Sequence, residues 1–372
     1  MALIWAFSRE AGGAEVLAPV IKVLKKKHKV VLLTKDFAKD IFVKHSLPFA
    51  EIDGYSPSLI QHLIKKYGRP SLVLTSAVSF PWRDMTEKYL WKWSAEKRIP
   101  SIAILDQWHN YVMRFSGAGK NERLKYLPDY VCVMDEHAKK DMIREDIPKT
   151  KIVVTGQPAF DSISQCKKTF LKEKYLKIRK KLGVKDEKMI LFVGEALKRE
   201  YGNSLGYTEV TTLRAVLDTL KKLTCKNFKF FLVVKLHPQN KKEDFKDMDF
   251  DKYRSKVNMK FIRGELPRRD LVLCSDVVIG MSSVLLVESI LLGKPTLSLQ
   301  INAKRDDLLI ATRIGAIPLL ANIEDFERAL RSILVDKKYL AEYLGRQRRL
   351  STDGQATKRV AQFVEAVLKK SG

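Results

Sequence analysis

Short apolar runs alternate with amphipathic stretches along most of the chain. LIWAF at 3–7 precedes a helical pattern from Val16 to about Lys27, and KVVLLT at 29–34 precedes another from Asp36. SLVLT at 71–75 leads into a helix through Trp93, followed by SIAILD at 101–106, YVCVMD at 130–135 and IVVTG at 152–156. Parallel neighbours need a crossover, and a helix is the usual one, so strand-helix alternation predicts a doubly wound parallel sheet. A second series begins at MILFVGE (189–195). It runs through a helix from about Thr208 to Leu223, then FKFFLVVKLHP (228–238), KFIRGE (260–265), DVVIG (276–280) and PTLSL (295–299). The pattern predicts an α/β protein of two doubly wound, Rossmann-like domains facing across a cleft, with ligands at the carboxyl ends of the strands. The expected division is an N-terminal acceptor-side domain at 1–160, a connector at 161–188, a ligand-binding domain at 189–355, and a final helix at 356–372 able to pack back on the first domain.

Length agrees, since 372 residues exceed what one core usually holds. Lys and Arg total 69 against 43 acids, a net charge of +26 spread over both halves. Such an excess attracts polyanions or phosphorylated ligands. Ten basic and three acidic residues lie between Lys167 and Lys188, with Leu171, Tyr175, Ile178 and Leu182 at helical spacing. That connector suits either a solvated helix packing its apolar stripe on the second domain or one resting on an anionic membrane surface. No recognition helix, RNP-like strand or basic-aromatic cluster supports a nucleic-acid partner. Cys132, Cys166, Cys225 and Cys274 have no paired spacing, which fits reduced thiols and a cytoplasmic protein. The apolar start lacks a basic leader, and no run of about twenty apolar residues occurs, so any membrane contact is peripheral.

Candidate chemistry collects at predicted strand ends. GMSSVLLVESILLGKP, from Gly280 to Pro295, opens a helix after a buried strand. Ser282, Ser283 and the free N–H groups there suit a phosphate, with Glu288 placed for a ribose diol; ordinary helix capping explains the serines equally. Glu195 and Arg199 follow strand 189–195, and Lys235 and His237 end strand 228–238, where cations can grip a diphosphate. In the first half, Arg9, Gly12 and Gly13 form a turn in which N–H groups can approach a phosphate, although the spacing is not GxGxxG. Asp106 and His109 end strand 101–106. Asp106, screened by Trp108, is the expected general base. Asp247-Met248-Asp249 lacks a strand end to fix it, so neither a metal nor another cofactor is expected.

The order of these motifs resembles the GT-B group of nucleotide-sugar glycosyltransferases and UDP-N-acetylglucosamine 2-epimerases. SREAGGAEVLAPVIKVL looks like the epimerases' first-loop segment, where Arg-Pro-Glu precedes a helix with Ala-Pro-Val. LPDY and MDEHAKKDMIREDIPKTKIVVTGQPAFDSI are similar to the segment closing the first domain. GEALKREYG resembles Gly-His-Arg-Arg-Glu-Asn-Phe-Gly, and GMSSVLLVESILLGKP the Ser-Gly-x-x-x-Glu donor helix. The resemblance implies a UDP-sugar donor, with Ser282, Ser283 and Glu288 on diphosphate and ribose. Epimerases carry an acid after the strand corresponding to SLVLT, where this chain has Ser76-Ala77-Val78, and an Arg-Pro-Glu where Lys304-Arg305-Asp306-Asp307 stands. Removing a carbon-bound proton while expelling UDP needs several positioned acids and bases. The incomplete acid set therefore directs the expectation to a metal-independent glycosyltransferase acting on a glycan or lipid-linked acceptor, with a 2-epimerase, or a hydrolysing one, as the alternative.

Overall fold

The computed structural model describes residues 1–224 and 228–371, so Cys225 lies outside the described residues. One sheet holds β1 (Leu3–Ser8), β2 (Lys29–Thr34), β3 (Ala50–Glu51), β4 (Leu72–Thr75), β5 (Ser101–Ile104), β6 (Tyr130–Val133) and β7 (Ile152–Val154), in the order β3-β2-β1-β4-β5-β6-β7. The other holds β8 (Lys188–Val193), β9 (Phe230–Lys235), β10 (Asn258–Ile262), β11 (Val277–Gly280), β12 (Thr296–Leu299) and β13 (Leu319–Leu320), in the order β10-β9-β8-β11-β12-β13. Every pairing is parallel. These are the two doubly wound sheets that the apolar runs predict. Strands covered on both faces read as unbroken apolar runs, and β4, β5, β11 and β12 are buried throughout. The pattern misses β3 and β13, two-residue edge strands too short to show a period.

The chain divides into two compact units, one of residues Met1–Ser162 with the chain from Thr352 onward, the other Ile163–Ser351. In the first, α1 (Ala11–Leu24) and α2 (Thr86–Glu96) pack beside the sheet. In the second, α3 (Lys172–Leu182) packs on α4 (Arg268–Cys274), and α5 (Val284–Leu291) follows β11. Finally α6 (Ala356–Ser371) returns to the first unit. Val360, Ala361, Val364 and Val367 share a core with Ala14, Leu17, Val20, Ile21 and Leu24 of α1, because the i, i+4, i+7 spacing puts them on one stripe. The α6 N-terminus is capped from afar: Asp161 accepts from the N–H groups of Ala356 (3.1 Å) and Thr357 (2.7 Å).

The basic run packs its apolar stripe within the second unit. Ile178 and Leu182 of α3 are buried, Lys174 pairs with Asp270 at 2.8 Å, and Arg179 with Asp276 at 3.3 Å, all within the second unit. Among the described residues no helix is long and apolar enough to cross a membrane. In each sheet the strand order reverses once, between β1 and β4 and between β8 and β11. Outside the carboxyl ends of the strands at such a reversal, connections leave on opposite faces and a ligand crevice opens.

Candidate active site at two sheet edges

In the first unit, the reversal point is filled by Glu87. This residue sits in the first turn of α2 and is 1% exposed. Its carboxyl group lies 2.5 Å from Ser76 Oγ and accepts from the Val78 N–H. Ser76 Oγ is also 2.9 Å from Ser8 Oγ at the end of β1. The loop after β4, where the sequence shows no acid, thus receives one from the next helix. Burial pushes the Glu87 carboxyl up, to about 7, against the opposing pull of Ser76, Val78 and the neighbouring Lys88. Lys88 is fully buried and burial lowers it, to about 8, with Glu87 opposing and Arg114 assisting.

Gly12 and Gly13 correct the turn expected before α1. The helix starts at Ala11, so both glycines are helical rather than loop residues. A Cβ on Gly12 would overlap the Asp106 carboxylate, and one on Gly13 would overlap Ser76. Here the missing side chains let α1 sit directly on the strand ends. Arg9 is held between Glu10 and Asp36, the latter at 2.6 Å, so its charge already has two carboxylate partners.

Asp106 follows β5 and accepts from Arg114 Nη1 at 3.1 Å, with its side chain 14% exposed. Arg114 is almost wholly buried, and also donates to the carbonyls of Ala77 and His109. Trp108, expected to screen Asp106, donates its indole N–H to Asp135 at 2.7 Å and stacks on Phe160. His109 bonds to Gln107. Arg114 thus ties the Asp106 carboxylate to the His109 backbone. Glu10, which the sequence reading leaves out of the site, joins the same edge. Burial raises its carboxyl above the usual range, Arg9 pulls it down, and the Asp106 charge adds to the rise.

In the second unit the reversal point is filled by Glu195, just beyond β8 and 8% exposed. Its carboxylate accepts from Met281 N–H (3.1 Å), Ser282 N–H (2.9 Å) and Ser282 Oγ–H (2.8 Å). Burial is the largest influence on Glu195 and raises it, while these bonds oppose. Ser283 is the N-cap of α5 and accepts from Leu285 N–H at 3.2 Å. The turn expected to take a phosphate thus holds a carboxylate of the chain itself, and Ser283 plays the ordinary capping part.

Glu288, 2% exposed, is gripped by two arginines of α4, with Arg268 Nη2 at 2.9 Å and Arg269 Nε at 2.6 Å. Lys235 ends β9 in the same neighbourhood. Burial and Arg268 together lower it, to about 8, with Glu288 opposing. His237 is drawn into a local turn: its Nδ1 accepts from Gln239 N–H at 3.2 Å, and its own N–H donates to Asn240 at 2.8 Å. Asn240 in turn donates to the Glu195 carbonyl at 3.1 Å, which fixes the Glu195 loop. Arg199 stands apart on the short helix Leu197–Tyr201, half-exposed and 3.8 Å from Asp244.

The residues missed by sequence reading are Glu10, Glu87, Lys88 and Arg114 in the first unit, and Arg268 and Arg269 in the second. Pro267-Arg268-Arg269 opening a helix after KFIRGEL was the one available signal. A Glu-Lys pair on a helix reads as solvated surface, so nothing marked Glu87 and Lys88 as buried.

No curated protein matches this chain. Among solved structures, the UDP-GlcNAc 2-epimerase from Neisseria meningitidis, bound to UDP-GlcNAc, is similar with a TM-score of 0.68 and 18% identity, covering 99% of this chain and 100% of that one. The Methanocaldococcus jannaschii UDP-GlcNAc 2-epimerase in complex with UDP-GlcNAc and UDP gives 0.66 and 18%, covering 98% and 100%. Anabaena HepE in complex with UDP-glucose gives 0.67 and 12%, covering 100% of both. At these identities the likeness is one of fold, and it agrees with the GT-B type expected from the sequence. The family described as UDP-N-acetylglucosamine 2-epimerase matches residues 124–365. That match overturns the glycosyltransferase expectation, which rested on two departures from the epimerase pattern, Ser76-Ala77-Val78 after β4 and Lys304-Arg305-Asp306-Asp307 after β12; at the first of them the structure brings in the Glu87 carboxyl group. The chain belongs to the UDP-N-acetylglucosamine 2-epimerase family.

Proposed function

We propose that this protein inverts C2 of a UDP-N-acetylhexosamine, interconverting UDP-N-acetylglucosamine and UDP-N-acetylmannosamine. What carries the reading is the gathering of Glu10, Glu87 and Asp106 at one sheet edge, in a chain of this family. The UDP-GlcNAc bound in the Neisseria and Methanocaldococcus structures supports the choice of sugar nucleotide.

The C2 proton is too weakly acidic to leave alone, so its removal is coupled to loss of UDP from C1. The C2–H and C1–O bonds break, a C1–C2 double bond forms, and UDP departs with the C1–O electron pair. Readdition of UDP with a proton delivered to the opposite face of C2 gives the epimer. Two carboxyl groups at one sheet edge suit this exchange. Asp106, fixed by Arg114, takes the proton, and Glu10, whose burial favours its protonated form, returns one. Glu87 sets the Ser76 hydroxyl behind them. In this assignment the second unit binds the nucleotide.

Incubation with UDP-N-acetylglucosamine alone, followed by proton NMR, tests the reading. The expected result is a second anomeric signal, from the 2-epimer, growing to equilibrium. Free N-acetylmannosamine with UDP would identify the hydrolysing variant, and an unchanged spectrum would overturn the assignment.

A further inference from the structure

The basic run at 167–188 serves neither sheet edge, and its helix, α3, has two unlike faces. On the inner one Ile178 and Leu182 are buried, and Arg179 donates to the Cys274 carbonyl at 3.2 Å and pairs with Asp276. Lys174, at the margin, pairs with Asp270. These contacts account for how the helix is held, and they leave the opposite face unused.

On that face Lys172, Leu176 and Lys180 recur at i, i+4 and i+8, so they form one ridge along the helix, with Glu173, Lys177 and Lys181 beside it. All six side chains are exposed. Leu176 is 55% exposed, and Leu171, directly before the helix, 63%. Among the described residues Lys168, Lys172, Lys177, Lys180 and Lys181 enter no ion pair. The acids nearest in the fold and the chain are engaged elsewhere, Asp270 and Asp276 by the inner face and Asp186 by Lys229 at 2.8 Å. Lys260 of β10 donates to the Lys181 carbonyl at 3.1 Å and adds a cation at the same end.

The charge of this face is complementary to a polyanion. Its leucines decide which kind. A single exposed leucine is ordinary, but one at the middle of a lysine ridge and another at its start need an apolar phase, which a nucleic-acid backbone does not offer. An anionic bilayer offers both, because long lysine side chains reach the headgroup phosphates while shorter leucines enter the acyl boundary.

We propose that the outward face of α3, from Lys168 to Lys181, docks on an anionic lipid bilayer, with Leu171 and Leu176 inserted between headgroups. The surface belongs to the second unit and is independent of the reaction assigned above.

Co-sedimentation of the full chain with phosphatidylcholine vesicles, with and without phosphatidylserine, tests the proposal. Binding is expected only where phosphatidylserine is present, and it should weaken as salt screens the charges. Each lysine at the surface contributes about fivefold, so Lys177→Glu with Lys180→Glu should weaken partition by about twentyfold or more. Leu176→Ser should weaken it by about threefold or more. Lys25→Glu with Lys26→Glu, at exposed positions beyond the end of α1, removes the same charge from the first unit and should leave partition within about twofold. All the substituted side chains are exposed, and circular dichroism checks that each variant folds. Equal losses in the two double variants would reduce the effect to net charge and overturn the docking surface. Unchanged partition in Leu176→Ser, with RNA duplex bound as tightly as vesicles, would make the face a general polyanion surface and overturn the lipid assignment. Failure of the parent protein to sediment with either vesicle would also overturn it.

Discussion

The two sheet reversals are built alike and surrounded differently. Each is closed by a buried glutamate that meets a serine hydroxyl and accepts from backbone N–H: Glu87 on Ser76 and Val78, Glu195 on Met281 and Ser282. Around Glu87 stand further carboxyls, Glu10 and Asp106, with Arg114 and Lys88 as counter-charges. In the second unit Glu195 meets only N–H and hydroxyl donors in the bonds described, while Arg268 and Arg269 grip a second buried carboxylate, Glu288. The parallel fold produces an N–H-rich spot at each reversal, and a glutamate fills each. The side chains alongside then suit the first edge to proton transfer, while at the second the carboxylates are tied up by donors of the chain itself.

The largest effect should come from the first edge. Asp106→Asn is expected to slow conversion by about a hundredfold to ten-thousandfold, while UDP affinity stays within twofold in calorimetry. A lost affinity with normal turnover would reverse the roles given to the two edges.

Next comes the titration of Glu87. Its folded pKa, about 7, exceeds the ordinary carboxyl value of 4.5. The folded chain therefore keeps a proton that the unfolded chain releases, and this stability is full below about pH 4.5 and lost as pH rises through about 7. Glu87→Gln should lack that loss, flattening the change in urea-unfolding stability between pH 5 and 7 by about 2 kcal/mol. An unaltered slope would place the Glu87 proton elsewhere.

Glu288→Ala leaves Arg268 and Arg269 facing each other. Their side chains are 27% and 15% exposed, so water relieves part of the cost. A loss of about 1–3 kcal/mol in unfolding stability is expected, below the figure for a wholly buried pair. Gly13→Ala should cost about the same through overlap with Ser76, less what alanine gains in the helix.

The alternation of apolar runs made both sheets legible, because strands buried on both faces leave unbroken hydrophobic signatures. The site was legible only in part. Asp106, Glu195, Lys235 and Glu288 stand at the strand ends or helix positions read from the sequence, but what each one touches depends on residues distant in the chain. Ser282 binds Glu195 across 87 positions, and Arg269 reaches Glu288 from the preceding helix. Glu87 was invisible for a different reason. A loop without an acid was read as a site without one, whereas packing brought the carboxyl in from α2. Together with the missing Arg-Pro-Glu at Lys304-Arg305-Asp306-Asp307, that inference produced the incorrect glycosyltransferase assignment.

The central claim is that carboxyl groups at the first sheet edge exchange the proton at C2 of a UDP-N-acetylhexosamine. Incubation of the protein with UDP-N-acetylglucosamine in D2O, read by NMR and mass spectrometry, tests it most directly. The account predicts UDP-N-acetylmannosamine carrying deuterium at C2, with incorporation abolished in Asp106→Asn. Recovery of UDP-N-acetylglucosamine with its C2 proton intact would contradict it.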